Sequence, residues 1–513
     1  MSYVMGIDIG TYESKGVLVD REGRMVAYQS LPHSLEIPQH GWAEHDAEET
    51  WWHAVKTLSK ALIAEGEKTA GFRPSHIEAI GISTIGPAVV PIDQDGNALR
   101  KAILYGIDTR ASAEIDELNQ KIGPANILRK GGHYLSSQSA GAKILWIRNQ
   151  EPGVYEKTAT FLSGNGYLVY KLTGECVIDA YTACAFSPLF DLQKQRWDEE
   201  HCAYVTEREK LPRIVWSHEI VGCVTPEAAE ATGLPAGTKV IAGTADAMSE
   251  SISVGAVNQG DMMIMYGSST FFIQVIDAPT QTAKFWPSVH AVPQLHTLTG
   301  GTSTAGSITR WFVDQWLQPA ESRDEAYTRL THLAEQSNPG ANGLLMLPYF
   351  SGERTPIHHL QARGTWFGLT LKHTTGDLYR AILEGIGYSI RHNIEEMRLA
   401  GYPPRKLVAI GGGTKNRLWL QAVSSICRVE QYIPKVTYGA AYGDAFLAAL
   451  GLGWYDKLEE IDSWVDYTEI IEPQTEDAEI YETYYQLYRE IYEQTKNSMD
   501  VLSSISRNWE GQR

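Results

Sequence analysis

The stretch YVMGIDIGTYESKGVLVD, residues 3–20, decides the fold. Tyr3 to Ile9 is an apolar run carrying one carboxylate, Asp8, near its end; a small turn at Gly10-Thr11 follows, and Lys15 to Val19 is a second apolar run. Short apolar runs bounded by turn residues read as strands. Asp20-Arg21-Glu22-Gly23-Arg24 is the next turn and Met25 to Gln29 the next run, so the chain opens as an antiparallel meander. Ile77 to Ser83 and Val89 to Ile92 continue in the same style, with Asp93-Gln94-Asp95-Gly96-Asn97 as a further turn. Between them, Trp51, Val55, Leu58 and Leu62 recur at helical spacing and predict a crossover helix over Asp46 to Ala64. Strands mixed with crossover helices predict a layered α/β domain.

The same grammar returns near residue 255. Asp261 to Tyr266 is an apolar run, Gly267-Ser268-Ser269-Thr270 a hydroxyl-rich turn, and Phe271 to Ile276 a second run. The recurrence suggests two related domains facing each other across a cleft, with Ala247 to Gln259 joining them. Gly10 and Gly267 would let backbone amides approach a phosphate closely. Thr11, Ser268, Ser269 and Thr270 would add hydroxyl donors, Asp8 would face a bound magnesium ion, and Lys15 would neutralise a phosphoryl group. An ordinary hairpin turn is the plain alternative for either stretch.

A third glycine cluster, Gly411-Gly412-Gly413-Thr414-Lys415-Asn416, follows the apolar run Lys406 to Ile410 and precedes a helix expected over Arg417 to Cys427. Strand, glycine turn and helix N-terminus make a cradle for a nucleotide. The spacing is not G-x-G-x-x-G, and no G-x-x-x-x-G-K-[ST] occurs, which disfavours a P-loop enzyme. Val240 to Ala245 leads from an apolar run into Asp246, which reads either as a general base for an attacking hydroxyl or as a helix cap.

Composition bounds the remaining classes. The 513 residues are too many for one core and predict two or three domains. A formal charge of −18, from 44 basic against 62 acidic side chains, argues against general attraction to nucleic acid or to an anionic membrane. A phosphate ligand must therefore be held by local amides, one or two cations and a metal ion. Five scattered cysteines without a C-x-x-C pair read as reduced thiols and argue against a cysteine zinc site. With no basic-then-apolar leader and no long apolar run, a cytoplasmic location is expected.

These stretches resemble the FGGY family of carbohydrate kinases. The most specific match is Gly364-Thr365-Trp366-Phe367-Gly368-Leu369 followed by Asp377-Leu378-Tyr379-Arg380-Ala381-Ile382-Leu383-Glu384. Gly41 to Asp46, Leu172 to Glu175 and Leu347 to Pro356 are similar to its xylulokinase branch. Thr374 to Asp377 also reads simply as a capping box for a helix from Leu378 to Ala400.

The resemblance implies a duplicated ribonuclease H-like fold, of the actin, hexokinase and Hsp70 type, with two lobes and a central cleft. It divides the chain into an N-terminal lobe (1–253), a C-terminal nucleotide-binding lobe (254–453) and a helical extension (454–513). It implies ATP and Mg2+ as cofactors, a small sugar or polyol as substrate and Asp246 as the catalytic aspartate. Asp8 and Asp246 would lie on the metal side. Gly10, Thr11 and Lys15 would form the first phosphate motif, Gly267, Ser268, Ser269 and Thr270 the second, and Gly411, Gly412, Gly413 and Asn416 the adenosine motif. Gly301 and Ser303 would lie near the nucleotide.

Asp108, Ile85 and Gly86 would join Asp246 around the sugar. Here the chain departs from the pattern: Thr84-Ile85-Gly86-Pro87 replaces a Met-His-Gly stretch, Tyr105 to Arg110 keeps Asp108 and Arg110 of a tryptophan-x-Asp-x-Arg segment but not its tryptophan, and Ala247 replaces an asparagine, while Tyr12-Glu13 stands in the first phosphate turn. Glu13 is expected to point away from phosphate. Asp108 either binds a hydroxyl or forms a surface pair with Arg110. Xylulose is the expected substrate, with gluconate, ribulose, glycerol and erythritol as alternatives. An actin-like or Hsp70-like ATPase, or a sugar-responsive protein without catalysis, is the different class. Tyr481, Tyr484, Tyr485, Tyr488 and Tyr492 predict a terminal helix packed on a lobe or on a second copy of the chain in a homodimer.

Overall fold

The computed structural model describes residues 2–510, which fall into two compact units. The first comprises Met1–Gln259, Val275–Leu298 and Val436–Asp466; the second comprises Gly260–Gln274, Thr299–Lys435 and Tyr467–Arg513. The unit boundaries do not follow chain order, because residues 436–466 return to the first unit after most of the second has been built.

The first unit is organised by a sheet of β1 (Tyr3–Ile9), β2 (Glu13–Asp20), β3 (Met25–Pro32), β4 (Ile77–Thr84), β5 (Ile220–Cys223), β6 (Lys239–Ile241) and β7 (Thr244–Ala245). Its order is β5-β6-β4-β1-β2-β3, with β7 pairing β4. The opening meander is antiparallel, as expected, whereas β4 runs parallel to β1. A parallel pair needs a crossover, which α1 (His53–Gly66) supplies. Its helical run opens over Ala47–Trp52 as a wider π-type turn, with the Asp46 side chain accepting the N–H groups of Glu48 and Glu49.

Nearly every residue of β1 is buried, the mark of a strand covered on both faces. On one face Met5, Ile7 and Ile9 share a core with Trp51, Val55, Leu58 and Leu62. On the other lies α7 (Ala440–Gly451), pressed so closely that a Cβ on Gly6 would stand 1.8 Å from the Ala441 carbonyl. Ala247 to Gln259, expected as a joining segment, instead begins in α3 (Asp246–Ser253) and stays within the first unit.

The second unit repeats the plan. Its sheet runs β10 (His296–Gly301), β9 (Thr270–Ile276), β8 (Asp261–Tyr266), β11 (Lys406–Ile410), β12 (Gln431–Pro434), β13 (Tyr467–Ile471). β8 and β9 are antiparallel; β8 and β11 are parallel, as are β11 and β12. The path β10-β9-β8-β11-β12 therefore matches β3-β2-β1-β4-β6 position for position, which is the duplication expected from the sequence. Helices α4 (Gly306–Trp316), α5 (Thr375–Leu399) and α6 (Arg417–Cys427) complete the unit with α8 (Ala478–Glu510).

The terminal tyrosines pack within the chain. Tyr481, Tyr485 and Tyr488 are buried against α5; the Tyr488 and Tyr349 hydroxyls lie 2.5 Å apart, and Arg391 of α5 pairs with Glu482 at 2.6 Å. No described helix is long and apolar enough to cross a membrane. All five cysteines are free.

Candidate active site

In each unit the singled-out residues gather at the carboxyl ends of the parallel strands, the edge where open α/β sheets bind ligands. In the first unit, Asp8 stands beside Ser83 in the parallel β1–β4 register, and Ser83 stands beside Thr244 in the β4–β7 register. Asp246 follows at once as the first residue of α3. Three strands thus deliver Asp8, the 83–86 turn and Asp246 to one edge.

Asp246 is half-buried, and its Oδ1 accepts its neighbour's N–H, from Ala247, at 2.8 Å. It also accepts a hydrogen bond from the backbone of Gly86. The helix-cap alternative does not hold, because Ala245 is the cap and makes no side-chain cap hydrogen bond; Asp246 is the first helical residue, and its carboxylate stays on the binding edge. Burial pushes its pKa well above the usual carboxylate range, and the nearby charges of Asp8 and Glu250 add to the shift. Asp8 is raised to about 6, chiefly by burial and against the pull of Ser83 and Lys15.

Glu250, one helical turn beyond Asp246, is raised to about 7 by burial and by Asp8, although Lys15 and the backbone of Ala440 at the start of α7 favour its charge. Sequence reasoning passed over Glu250, yet its i, i+4 spacing from Asp246 places both carboxylates on one face of a helix. It also passed over Tyr105, whose hydroxyl lies 3.2 Å from the Thr11 hydroxyl and whose phenol is raised by burial and, to a lesser extent, by Asp246.

Lys15 faces Asp8 across the β1–β2 register, and its ammonium lies 3.5 Å from Glu13. Glu13, two residues from Lys15 on one face of β2, thus turns toward the cation that the sequence reading set aside for phosphate. Asp108 is 0% exposed and forms a buried pair with Arg110, not a surface one. Its oxygens accept the N–H groups of Ala43 and Arg110 and the Arg110 guanidinium, which also meets Glu44 at 2.7 Å and lies over Trp42. Gly41 to Asp46 is therefore a structural clamp around Arg110 and the helix cap at Asp46, and the carboxylate of Asp108 is fully engaged by protein donors. Ile85 is buried, and Gly86 backs onto Ala245.

In the second unit the turn 267–270 follows β8, and 411–416 follows the parallel neighbour β11. The carbonyls of Gly267 and Ser268 are held by the N–H groups of Gly306 and of Ala305 and Ser307 at the start of α4. Thr270 is buried, and its hydroxyl meets that of Thr302 at 2.8 Å. Gly411 has φ +90°, and a Cβ there would sit 2.8 Å from the Tyr266 carbonyl. Gly412 has open space around its Cα, while Gly413 rests against Trp419. Asn416 caps α6, accepting the Trp419 N–H, and its amide donates to Thr331.

The Gly301 N–H goes to the Thr355 hydroxyl, and the Ser303 N–H to Glu353 at 2.6 Å. Glu353, raised to about 7 by burial, also accepts the Arg354 N–H and the Ser389 hydroxyl. The Leu347 to Pro356 stretch thus braces the 301–304 segment from behind.

Among the described residues, no three His, Cys, Asp or Glu side chains converge as a protein cage for a metal. The first unit's edge nevertheless suits a magnesium ion. Half-buried carboxylates with raised pKa values outnumber the cations facing them, and magnesium typically takes one or two carboxylates plus water and phosphate oxygens.

Two α/β lobes of matching strand order, one edged with carboxylates and the other with glycine and hydroxyl turns, define a phosphotransferase scaffold. The comparisons with known proteins specify it. Residues 3–253 match the N-terminal domain of the FGGY family of carbohydrate kinases, and residues 262–452 match its C-terminal domain. The chain belongs to that family and is a sugar kinase. A xylulose kinase from Staphylococcus epidermidis is 32% identical over 511 residues, covering 98% of this chain and 99% of that protein. A gluconokinase from Bacillus subtilis is 26% identical, covering 99% and 98%. The crystal structure of xylulose kinase from Rhodospirillum rubrum superposes with a TM-score of 0.91 at 30% identity, covering 97% and 99%.

Proposed function

We propose that the protein transfers the γ-phosphoryl group of ATP to a terminal hydroxyl of a ketopentose, xylulose above all. The observation that carries this reading is the convergence of Asp8 and Asp246 on one strand edge, both with raised proton affinity. Asp246 takes the proton of the attacking hydroxyl; a carboxylate whose proton affinity is raised by burial is a better base than a solvated one. Asp8 and Asp246 form the metal side, where magnesium, when bound, offsets charge on the phosphate oxygens.

In this reading, Thr11, Lys15 and the Gly10 backbone steady the phosphoryl group from the first unit. The turns at Gly267–Thr270 and Gly411–Gly413 carry the nucleotide in the second, their glycines admitting close backbone approach. Gly301 and Ser303 act through a braced loop, not through free amides. Tyr105 supplies a further hydroxyl beside that of Thr11.

Charge favours a neutral acceptor. The acceptor edge holds Asp8, Asp246 and Glu250, while Lys15 already meets Glu13 and Arg110 is fully engaged with Asp108 and Glu44. An anionic acceptor such as gluconate would meet repulsion there, whereas a neutral ketopentose would not. That agrees with the name borne by the Staphylococcus relative. ADP release measured against xylulose, ribulose, glycerol, erythritol and gluconate tests the reading. Xylulose should give the largest kcat/KM; ATP hydrolysis indifferent to every sugar would overturn it in favour of an ATPase.

A further inference from the structure

The carboxylate edge of the first unit is held by a residue that the reaction does not use. Asp444 lies on α7, 361 positions along the chain from Ser83, and is 0% exposed. Its Oδ2 accepts both the Ser83 hydroxyl, at 2.6 Å, and the Ser83 N–H, at 3.0 Å. Its Oδ1 accepts the Ser249 hydroxyl at 2.5 Å. The Ser83 hydroxyl in turn lies 3.1 Å from Asp8 Oδ1.

A carboxylate buried this deeply costs stability unless its partners are well placed, and an apolar side chain would pack the same space more cheaply. The partners are specific. Ser83 is the strand neighbour of Asp8 in the β1–β4 register, and Ser249 lies on α3 between Asp246 and Glu250. One side chain therefore ties together the strand pair that presents Asp8 and the helix that presents Asp246. Close packing fixes the junction further: a Cβ on Gly443, beside Asp444, would stand 2.0 Å from the Ser249 carbonyl.

We propose that Asp444 is a positioning residue for the metal-side carboxylate Asp8, acting through Ser83. This rests on the kinase reading above, in which Asp8 lies on the metal side. The single Ser83 hydroxyl proton serves one carboxylate at a time. The Ser83 N–H keeps Asp444 anchored when that hydroxyl turns to Asp8, so the seat of Asp8 stays fixed while its hydrogen bond exchanges. Carboxylates that orient a metal ligand in this way matter nearly as much as the ligand itself.

The test is the dissociation constant of Mn2+ in the presence of ADP, measured on the full chain by electron paramagnetic resonance for S83A, D444N, the double variant and D8N, with thermal melts as a check on folding. S83A and D444N should each weaken Mn2+ binding about 10-fold or more, the range for partners of a metal ligand. Because they act along one path, the double variant should be no weaker than the weaker single variant. If both singles bind Mn2+ within twofold of the parent while D8N does not, Asp444 merely joins α7 to the sheet and the proposal fails with the kinase reading intact. Losses that add in the double variant would also overturn it, since they would not run through Ser83. If D8N itself leaves Mn2+ binding unaltered, the metal-side role of Asp8 falls, and the proposal with it. Should D444N not fold, S83A, which removes one hydroxyl, decides the matter.

Discussion

The two units share a strand order but not an edge chemistry. β1 of the first and β8 of the second occupy the same place in their sheets, each followed by a glycine turn and an antiparallel partner. Yet the first edge carries Asp8, Asp246 and Glu250, whereas Gly267–Thr270 and Gly411–Gly413 bring glycine and hydroxyl groups to the second. The buried carboxylate behind the 301–304 segment, Glu353, is engaged by backbone and hydroxyl donors. A duplicated scaffold thus supplies two equivalent ligand edges, and in the proposed function the side chains set on them divide the work: proton transfer and charge on one, backbone approach to a nucleotide on the other.

The sharpest way to break that division is Asp246→Asn. Loss of a general base typically costs on the order of 10²- to 10⁴-fold in rate, and kcat should fall within or beyond that span. ATP affinity should stay within about twofold, because the nucleotide is assigned to the other unit. The variant should also melt higher than the parent at pH 8, since it removes a carboxylate that burial disfavours. Steady-state kinetics, calorimetric titration with ATP and thermal melts check the three parts; ATP affinity lost together with kcat would show that the edges are not separable.

The complementary change on the second edge is Gly411→Ala. At φ +90° and ψ 175°, a region essentially reserved for glycine, an alanine is strained by roughly 1–3 kcal/mol, and its methyl group would press on the Tyr266 carbonyl. The expected result is a KM for ATP raised about tenfold by displacement of the turn, with the KM for sugar unchanged. An equal rise in both constants would mean that the turn supports the whole unit instead of the nucleotide.

Much of this comparison is legible in the sequence. Tyr3–Ile9, Asp261–Tyr266, Lys406–Ile410 and Arg417–Cys427 have the ends expected of them, because each is an apolar run closed by glycine, aspartate or a capping asparagine. α3 entered only as an alternative, through Asp246 as a cap, because Ser249, Ser251 and Ser253 are weak helix formers and Ser249 is buried against the distant Asp444. The return of 436–466 to the first unit escaped for a different reason. Ala440–Gly451 is apolar on nearly all sides, which announces burial but not the neighbour. Asp444 could not be paired with Ser83 without the fold, and Asp108, quoted for its motif, is occupied by an arginine two residues away.

Protonation offers a subtler probe of the first edge. The base must be ionised, so kcat/KM should fall on the acid side with a limb displaced above the ordinary carboxylate range, and Glu250→Gln should move that limb to lower pH by removing a charge that raises Asp246. Stability should run the other way. The folded chain keeps protons on Asp8 and Glu250 up to about 6 and about 7, where the unfolded chain has lost them above its ordinary carboxylate range. Their contribution therefore declines as pH rises from roughly 4.5 to 7. Melting curves of the unliganded protein across that window should show a shallower decline for the Glu250→Gln variant than for the parent. A parallel pair of curves would remove Glu250 from the account.

The smallest effect tests the boundary between the two chemistries. Glu13 and Lys15 are both partly exposed, 43% and 35%, and 3.5 Å apart, so their attraction is screened and Glu13→Gln should change stability by no more than about 0.5 kcal/mol. Its consequence for binding is more informative. If Lys15 is shared between Glu13 and the incoming phosphate, releasing it should lower the KM for ATP about twofold, and the difference should vanish at high salt as the Debye length shrinks. Lys15→Met should abolish the gain, because without the cation Glu13 has nothing to withhold. A Glu13→Gln variant whose ATP affinity does not move at any ionic strength would place Lys15 outside the phosphate's reach and leave the first turn to Thr11 and the Gly10 backbone alone.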